Sequence, residues 1–227
     1  MEKTFIILSE KEWHKKLHKS LKKNFSDYNW ILIDQKKDFN IGQLEKLNPE
    51  KIFIPHWSYI IPASVYEKYE CIVFHMTDLP YGRGGSPLQN LIIRGKNETK
   101  ISALRVEKGL DTGDIYLKKS LDLSGTAKEI FVRSVSIIEQ MIQEIILKNP
   151  SPKKQEGEAV LFQRRKPEDG NIESLSETDK VYDYIRMLDC EGYPNAYIEN
   201  EHFKFEFFNA SKESNNEIIA NVRIIKK

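Results

Sequence analysis

The amino-acid sequence predicts an α/β fold in which a Rossmann-like sheet domain is followed by a small, β-rich and OB-like C-terminal appendage. Three observations lead to this prediction. Short apolar runs alternate with helix-like segments over the first two thirds of the 227 residues, which is the rhythm of a parallel sheet covered by helices. A stretch rich in Pro, Lys, Glu and Gly, typical of a solvated linker, then interrupts the rhythm near residue 150. Short strand-like runs dominate the remainder.

The first domain is predicted to cover residues 1–149. Its expected strands are Thr4–Leu8, Trp30–Ile33, Ile52–Ile54 and Cys71–Phe74, followed by a hairpin of Ile101–Val106 with Ile115–Leu121. Its expected helices are Glu10–Lys23, Ile41–Leu47, Pro62–Tyr69 and one that opens at Pro87. The helix Ala127–Lys148 carries apolar residues at helical spacing along one face and should close the domain.

We predict a linker at residues 150–160, and a C-terminal helix with a small β domain at residues 161–227. The helix is expected at Glu177–Leu188, with Ser176 as its N-cap because a Ser hydroxyl can accept a hydrogen bond from the first turn. The expected strands are Ala196–Ile198, Phe203–Phe208 and Ile218–Ile225.

Composition and charge exclude several classes of function. Lys and Arg number 35 against 34 Asp and Glu, so the formal net charge is 35 − 34 = +1. We therefore expect no nucleic-acid partner, since phosphate backbones select strongly basic surfaces. Cys71 and Cys190 lack C-x-x-C spacing and are expected to be reduced. No apolar run approaches the roughly 20 residues of a membrane span, and the first residues lack a signal peptide, so we expect a cytoplasmic protein.

His14 and His18 stand four residues apart, which is the spacing of a metal-binding pair on a helix. Lysines at positions 11, 15, 16, 19, 22 and 23 would repel a cation, and no third ligand is visible. A solvated helix face is therefore favoured over a metal site.

The most unusual stretch runs from Phe74 to Pro87 and reads Phe-His-Met-Thr-Asp-Leu-Pro-Tyr-Gly-Arg-Gly-Gly-Ser-Pro. It places His75 at the end of an apolar strand, beside a Gly-rich turn into a helix. Open α/β sheets bind ligands beyond the carboxyl ends of their strands, and imidazole suits proton transfer near physiological pH. A histidine that only caps the strand is the alternative, and for a lone histidine it is the commoner one.

A second polar stretch, Gly109–Tyr116, reads Gly-Leu-Asp-Thr-Gly-Asp-Ile-Tyr. A turn between two strands could return Asp111 to the sheet edge where His75 lies. Taken alone, the stretch is an ordinary hairpin turn.

Together the two stretches resemble the folate-dependent formyltransferases, a family related to methionyl-tRNA formyltransferase. That family has an Asn-x-His motif, a Ser-x-Leu-Pro and Arg-Gly-x-x-Pro run, and then Asp-Thr-Gly. Asp111 follows His75 by 111 − 75 = 36 residues, which is the family's spacing. The run is matched by His75, Thr77, Leu79-Pro80, Arg83-Gly84 and Pro87. The likeness continues in Gln163–Gly170 and Ile185–Met187, and it covers residues from about 50 to 210.

The resemblance implies an N-formyltransferase that uses 10-formyltetrahydrofolate and no metal. His75 would accept the proton of an attacking amine, and Asp111 would orient and stabilise the charged ring. The residues implied to bind the cofactor are Trp57, Tyr59, Ile60, Ile61 and Asp111, although Trp57, Tyr59 and Ile61 could equally be packing residues. Those implied to bind the substrate are Thr77, Arg83 and Gly84.

One position departs from the family pattern. The Asn two residues before the histidine is Val73 here, and in the family that amide is thought to hold the formyl oxygen as it becomes anionic. Loss of such a donor typically costs about 10² to 10³ in rate. We hypothesise that His56, at the end of the preceding strand, replaces it as a catalytic residue, with Thr77 and Asn90 as further candidates. A loop histidine bound to backbone is the alternative for His56.

The acceptor is predicted by elimination among the branches of the family, which is an argument from analogy. The short and nearly neutral chain disfavours tRNA. Ser9–Glu12 lacks the Gly/Asn/Ser-rich turn of the purine-pathway members. An amino sugar remains, free or nucleotide-linked, with a role in bacterial surface-sugar synthesis. The alternatives are another small amine, or a sugar- or folate-binding module that has lost catalysis, and a homodimer is a further possibility.

Overall fold

The structure, a computed structural model, describes residues 3–227. Two compact units make up the chain. The first consists of the chain up to Arg83, Lys100–Leu121 and Val132–Leu161, and the second of Gly84–Thr99, Asp122–Phe131 and Phe162–Lys227. Each unit is assembled from separate stretches of chain, an arrangement that a single boundary near residue 150 does not describe.

The strands, in chain order, are β1 (Thr4–Ser9), β2 (Asn29–Ile33), β3 (Lys51–His56), β4 (Glu70–His75), β5 (Tyr81–Gly84), β6 (Glu98–Arg105), β7 (Ile115–Asp122), β8 (Val160–Phe162), β9 (Ala196–Glu199), β10 (Phe203–Ser214) and β11 (Glu217–Lys226). The helices are α1 (His14–Asn24), α2 (Ile41–Leu47), α3 (Ala63–Tyr66), α4 (Pro87–Ile93), α5 (Ala127–Lys148) and α6 (Thr178–Leu188). Strands β5 and β8 are not predicted from the sequence, because four and three residues carry too little periodicity.

The central sheet has the strand order β2-β1-β3-β4-β6-β7. Strands β1 to β4 are parallel, as predicted, whereas β6 runs antiparallel to β4, so the sheet is mixed with a parallel majority. The carboxyl ends of β1, β3 and β4 meet at one edge and carry Ser9, His56 and His75. An open α/β sheet binds its ligands at this edge.

Alternating side chains give the sheet two apolar faces. The first face, formed by residues such as Ile6, Ile52 and Cys71, packs against α2 and α3. The second face carries Phe53 and Phe74, whose ring centroids are 6.4 Å apart. Because side chains two residues apart on a strand share a face, His75 belongs to the first face with Cys71.

The start of α1 at His14 lies four residues later than predicted. Ser9 ends β1, and its hydroxyl accepts a hydrogen bond from the Lys11 N–H at 3.2 Å, so the chain turns before the helix begins. By contrast, the predicted bounds of α5 are confirmed at both ends, since 22 residues of apolar periodicity define a long helix well.

The second unit contains α4, α6 and an antiparallel sheet of order β11-β10-β9. The side-chain amide of Gln89 in α4 donates to the carbonyl oxygen of Met187 in α6 at 3.2 Å. The N-cap of α6 is Glu177 and not the predicted Ser176. The predicted β-rich appendage is confirmed, and its sheet has three strands, whereas a complete OB barrel has five.

No helix within residues 3–227 is long and apolar enough to cross a membrane. Over the same part of the chain, no group of three or more His, Cys, Asp or Glu side chains is placed to hold a metal ion. Cys71 and Cys190 are buried free thiols.

Candidate functional site

His75 is the last residue of β4 and lies at the carboxyl edge of the central sheet. Its side chain is 8% exposed. Nε2 lies 2.7 Å from the carbonyl oxygen of Gly82, and because a carbonyl only accepts, Nε2 carries the proton of the neutral ring and Nδ1 keeps the lone pair. Nδ1 lies 3.6 Å from Oδ2 of Asp111. The ring is therefore anchored by a backbone carbonyl and presents its basic nitrogen toward a carboxylate.

The loop after β4 is fixed by side chains of β6 and β7. Ser102 Oγ donates to the carbonyl oxygen of Thr77 at 2.7 Å and accepts from the N–H of Leu79 at 3.3 Å. Lys118 Nζ donates to Asp78 and to the carbonyl oxygen of Leu79. Burial raises the pKa of Asp78, but the hydrogen bonds from lysine, Lys118 first, outweigh it and keep that pKa below its ordinary value. The loop is thus held firmly beside His75.

Asp111 is carried by the turn between β6 and β7. Its backbone is left-handed, with φ of 54°, a conformation that Asp and Asn adopt more readily than most residues. Gly113 allows the turn to close, because a Cβ there would lie 1.9 Å from the carbonyl oxygen of Arg105. The Asp111 side chain is 12% exposed, so solvent screens its charge only in part.

Gln155 is a member of the site that the sequence analysis does not find. Its Nε2 donates to the carbonyl oxygens of Asp111 and Gly113, both at 2.8 Å. Its Oε1 accepts from Nη2 and Nε of Arg83 at 2.8 and 3.1 Å. One side-chain amide therefore joins the Asp111 turn to Arg83. No local sequence pattern predicts such contacts, because they link residues 44 and 72 positions apart.

The segment that contains Gln155 is a correction to the expectation of a solvated linker. Lys153 exchanges two backbone hydrogen bonds with Ile115 of β7, at 2.8 and 2.9 Å. The N–H of Val160 donates to the carbonyl oxygen of Pro80 at 3.2 Å. Polar composition indicates solvation, but β7 is the edge strand of the central sheet, and its unpaired backbone groups bind a passing segment.

The residues predicted to bind substrate each have a contact within their own unit. Thr77 is fully buried, and its hydroxyl donates to the carbonyl oxygen of Gly82 at 3.3 Å. The Arg83 guanidinium donates two hydrogen bonds to Oε1 of Gln155. At Gly84, φ is 108° and a Cβ would lie 2.4 Å from the carbonyl oxygen of Phe162, so close packing explains the glycine. Substrate binding by these residues stays a prediction.

Val73 stands where the family has the Asn. Its side chain packs against the first face of the sheet, in register with Ile54, and shares that face with His75. Two of the candidates for the missing donor, Thr77 and Asn90, already donate hydrogen bonds to backbone carbonyls. Thr77 donates to a carbonyl as described, and the Asn90 amide donates to three backbone carbonyls at 2.8 to 3.1 Å.

His56 lies on the opposite face of the sheet from His75. Ile7 of β1 pairs with Phe53, but Ser9 pairs with His56, so β3 carries one extra residue at its end. Since paired residues of parallel strands share a face, His56 lies on the Phe53 face. This bulge corrects the hypothesis that His56 donates a hydrogen bond to the formyl oxygen, because that hypothesis needs both imidazoles on one side.

His56 instead neighbours His14 of α1. Nδ1 of His14 is 2.7 Å from the hydroxyl oxygen of Ser9. Burial lowers the pKa of His56 to about 4, with a smaller contribution from the charge of Lys11. Burial lowers the pKa of His14 to about 3, with smaller contributions from His56 and Lys11. Both rings are therefore neutral at physiological pH.

The segment predicted to bind the cofactor follows β3 at the carboxyl edge. Ile61 is buried in the core of the first face, and the Trp57 ring packs on Phe39 and Tyr59 with centroids 5.8 and 5.5 Å away. Ile60, by contrast, is 79% exposed. Ile61 and Trp57 thus pack in the fold, while Ile60 and the partly exposed Tyr59 leave apolar surface on which a flat heterocycle could lie.

Two family models match the chain. The model described as "Formyl transferase" matches residues 5–133, and the model described as "Methionyl-tRNA formyltransferase, C-terminal domain" matches residues 167–225. The methionyl-tRNA formyltransferase of Rickettsia felis is 30% identical over 170 residues, which cover 72% of this chain and 55% of the relative. That of Rickettsia typhi is 33% identical over 175 residues, with 72% and 55% covered. The chain spans about half the length of the curated relatives it matches.

Solved structures share the fold. The methionyl-tRNA formyltransferase from Clostridium thermocellum has a TM-score of 0.96 and 52% identity, covering 99% of this chain and 100% of that chain. HypX from Aquifex aeolicus in complex with tetrahydrofolic acid has a TM-score of 0.75 and 19% identity, with 92% and 38% covered. A sugar N-formyltransferase from a Shewanella species has a TM-score of 0.73 and 15% identity, with 93% and 99% covered. The last two likenesses show the fold alone.

These relatives overturn the predicted acceptor. An amino-sugar acceptor, a role in surface-sugar synthesis and the exclusion of a nucleic-acid partner are wrong predictions, because the relatives with 30% and 52% identity are named methionyl-tRNA formyltransferases. The error has a physical reason. Net charge is a sum over the whole chain and does not show where charges lie, so near neutrality does not exclude a surface that binds phosphate.

Proposed function

This chain belongs to the formyl transferase family, and we propose that it moves a formyl group from 10-formyltetrahydrofolate to the α-amine of methionine carried on tRNA. The predicted cofactor is confirmed for the family, which uses 10-formyltetrahydrofolate. The acceptor is supported by the 52% identity with the Clostridium thermocellum protein and by the match of residues 167–225 to a methionyl-tRNA formyltransferase domain.

The observation that carries the proposal is the pair formed by His75 and Asp111, 3.6 Å apart at the carboxyl edge of the sheet. Because Nε2 of His75 donates to Gly82, Nδ1 is the nitrogen that would take a proton from the attacking amine. Asp111 would then stabilise the imidazolium through its negative charge. Transfer to an amine needs a base that returns its proton to the departing nitrogen, and one imidazole can do both.

The apolar surface after β3 fits a folate. Ile60 and Tyr59 expose aliphatic and aromatic carbon beside the edge that carries His75, while the buried Ile61 anchors the segment. Bound 10-formyltetrahydrofolate would supply an activated formyl carbon and the nitrogen that departs. Val73 lines the same face as His75 and has no group that can donate a hydrogen bond to the formyl oxygen.

A single-turnover assay tests the proposal. The protein is mixed with 10-formyltetrahydrofolate and tRNA charged with methionine. The amino acid is then released from the tRNA, and its mass is measured by mass spectrometry. We expect N-formylmethionine, and we expect no product from uncharged tRNA. Folate binding without any formyl transfer to charged tRNA would contradict the proposal and indicate a binding module that has lost catalysis.

The homodimer expected from the sequence remains a prediction. β11 is an outer strand of the C-terminal sheet, and it exposes Ile219, Val222 and Ile224. Long apolar edges of this kind are usually covered in native proteins. Light scattering on the purified chain measures its mass directly, and a monomeric mass would contradict the pairing.

A further inference from the structure

Helix α1 concentrates positive charge on the surface of the first unit. Its 11 residues contain five lysines and no Asp or Glu. All five lysine side chains are exposed; they are Lys15, Lys16, Lys19, Lys22 and Lys23. The helix is therefore a local source of five positive charges.

The five lysines lie on one side of the helix. At about 100° per residue they fall within an arc of about 120°. His14, Leu17 and Leu21 are buried and fall outside that arc. Because the buried side chains fix the face that α1 turns to the core, the lysines must project together into solvent. Lys15 pairs with Glu12, so we call the other four lysines, Lys16, Lys19, Lys22 and Lys23, the lysine face.

The Glu139 carboxylate accepts hydrogen bonds from Ser20 and Asn24 of α1, but within the described part of the chain no acid pairs with the lysine face. Lys15 pairs with Glu12 at 2.6 Å. None of the four lysines of the face forms an ion pair with any of residues 3–227. A side chain without an ion pair is free to exchange its counterions for the phosphates of a polyanion.

The rest of the chain is acidic. The net charge of the chain is 35 − 34 = +1, and α1 contributes +5, so all other residues together carry 1 − 5 = −4. If the net charge of −4 outside α1 is spread evenly, it repels a nucleic acid, whereas α1 attracts one. The near-neutral total therefore hides a separation of charge.

Helix α1 lies on the sheet face opposite His75 but begins at the same carboxyl edge, so an extended substrate whose reactive end lies at His75 reaches α1 by crossing that edge. Nδ1 of His14 contacts the hydroxyl of Ser9, the last residue of β1, so the helix begins at the carboxyl edge of the sheet. From there 11 residues extend about 16 Å. A nucleic-acid duplex carries about one charge per 1.7 Å of axis, so α1 spans roughly nine phosphate charges.

We propose that the lysine face of α1 binds the phosphate backbone of the tRNA whose methionine is formylated. The inference rests on the proposed function and adds the surface that holds the acceptor. It assigns α1 a role in affinity and none in the chemistry at His75.

The test compares two variants of equal charge. In the face variant, the four lysines of the lysine face are changed to Gln, which keeps helix propensity close to that of Lys. In the control variant, four exposed lysines elsewhere are changed to Gln, namely Lys46, Lys128, Lys154 and Lys226. Circular dichroism confirms that both variants fold. Fluorescence anisotropy then measures the Kd for labelled tRNA from about 50 to 200 mM salt, the range over which phosphate contacts are most visible.

We expect the face variant to lose about three units of the slope of log K against log salt, since each phosphate contact contributes about 0.7 to 0.9. Fourfold more salt then weakens wild-type binding about 60-fold more than it weakens binding by the face variant. The control variant should keep the wild-type slope. Equal slopes in the two variants would overturn the proposal, because only total charge would then matter.

Formyl transfer separates the failure of this inference from the failure of the proposed function. If the wild-type chain formylates charged tRNA and the face variant shows a raised KM with unchanged kcat, the proposal is supported. If the wild-type chain formylates charged tRNA and the face variant keeps the wild-type KM, the lysine face is not the RNA surface. Vesicles of phosphatidylserine and phosphatidylcholine serve as a second probe, and face-dependent binding to vesicles with face-independent binding to tRNA would overturn the proposal in favour of a membrane.

Discussion

Replacing Asp111 with Asn removes the negative charge beside His75 and changes little else. Asn tolerates the left-handed backbone seen at this position, where φ is 54°. The carboxylate oxygen lies 3.6 Å from Nδ1 of His75. At an effective dielectric constant of about 20, two unit charges at this distance attract by about 332/(20 × 3.6) = 4.6 kcal/mol. Since about 1.4 kcal/mol changes a rate tenfold, Asp111→Asn should slow formyl transfer about 10³-fold.

The assay is single-turnover transfer to charged tRNA, with folate affinity measured by equilibrium dialysis. Folate affinity should stay near the wild-type value, because the charge matters only once the imidazole is protonated. Asp114→Asn is the matched control, since it removes an acid three residues further along the same turn, and its rate should stay within a few-fold of wild type. A loss smaller than tenfold in Asp111→Asn would refute the account, because it would mean that the carboxylate does not stabilise an imidazolium.

Two further predictions follow from contacts around the site. Gln155→Glu replaces the amide nitrogen that donates to the carbonyls of Asp111 and Gly113 with an oxygen, which cannot donate. Two hydrogen bonds of about 1 kcal/mol each are lost, so kcat should fall roughly 30-fold. Lys154→Gln, the exposed neighbour, should have no effect, and an equal fall in both variants would contradict the role of Gln155. Burial lowers the pKa of His14 from 6.5 to about 3 and that of His56 from 6.5 to about 4. The unfolded chain therefore takes up these protons before the folded one, and stability should fall as pH drops below 6.5, by about 2 kcal/mol for each histidine at pH 5. Urea unfolding at pH 7 and pH 5 measures this, and His14→Leu should show a smaller difference between the two pH values; an unchanged difference would assign the effect to other groups.

The elements of the fold are predictable because apolar periodicity reflects burial directly. The bounds of α5 and α2 agree at both ends, and the strands of the central sheet agree to within a few residues. The start of α1 does not agree, since it depends on one hydrogen bond between the N–H of Lys11 and the hydroxyl of Ser9. Local pattern therefore identifies elements better than it identifies their ends.

The candidate site is only partly predictable. The resemblance to the family implies that His75 and Asp111 act as a pair, and the structure places Nδ1 and Oδ2 3.6 Å apart, although their catalytic role stays a prediction. The position of His56 depends on a bulge at the end of β3, and a one-residue slip moves a side chain to the other face. Gln155 joins the site through long-range contacts that leave no local pattern. The prediction of the acceptor is wrong because net charge is a sum over the chain and does not describe the surface.

The most direct test of the account is the single-turnover rate of His75→Asn with tRNA charged with methionine. We expect the wild-type chain to make N-formylmethionine on the tRNA. The variant, whose amide cannot act as a base, should be slower by at least about 10² with folate affinity retained. A variant rate within a few-fold of wild type, in protein of native circular dichroism, would contradict the central claim that His75 moves the proton.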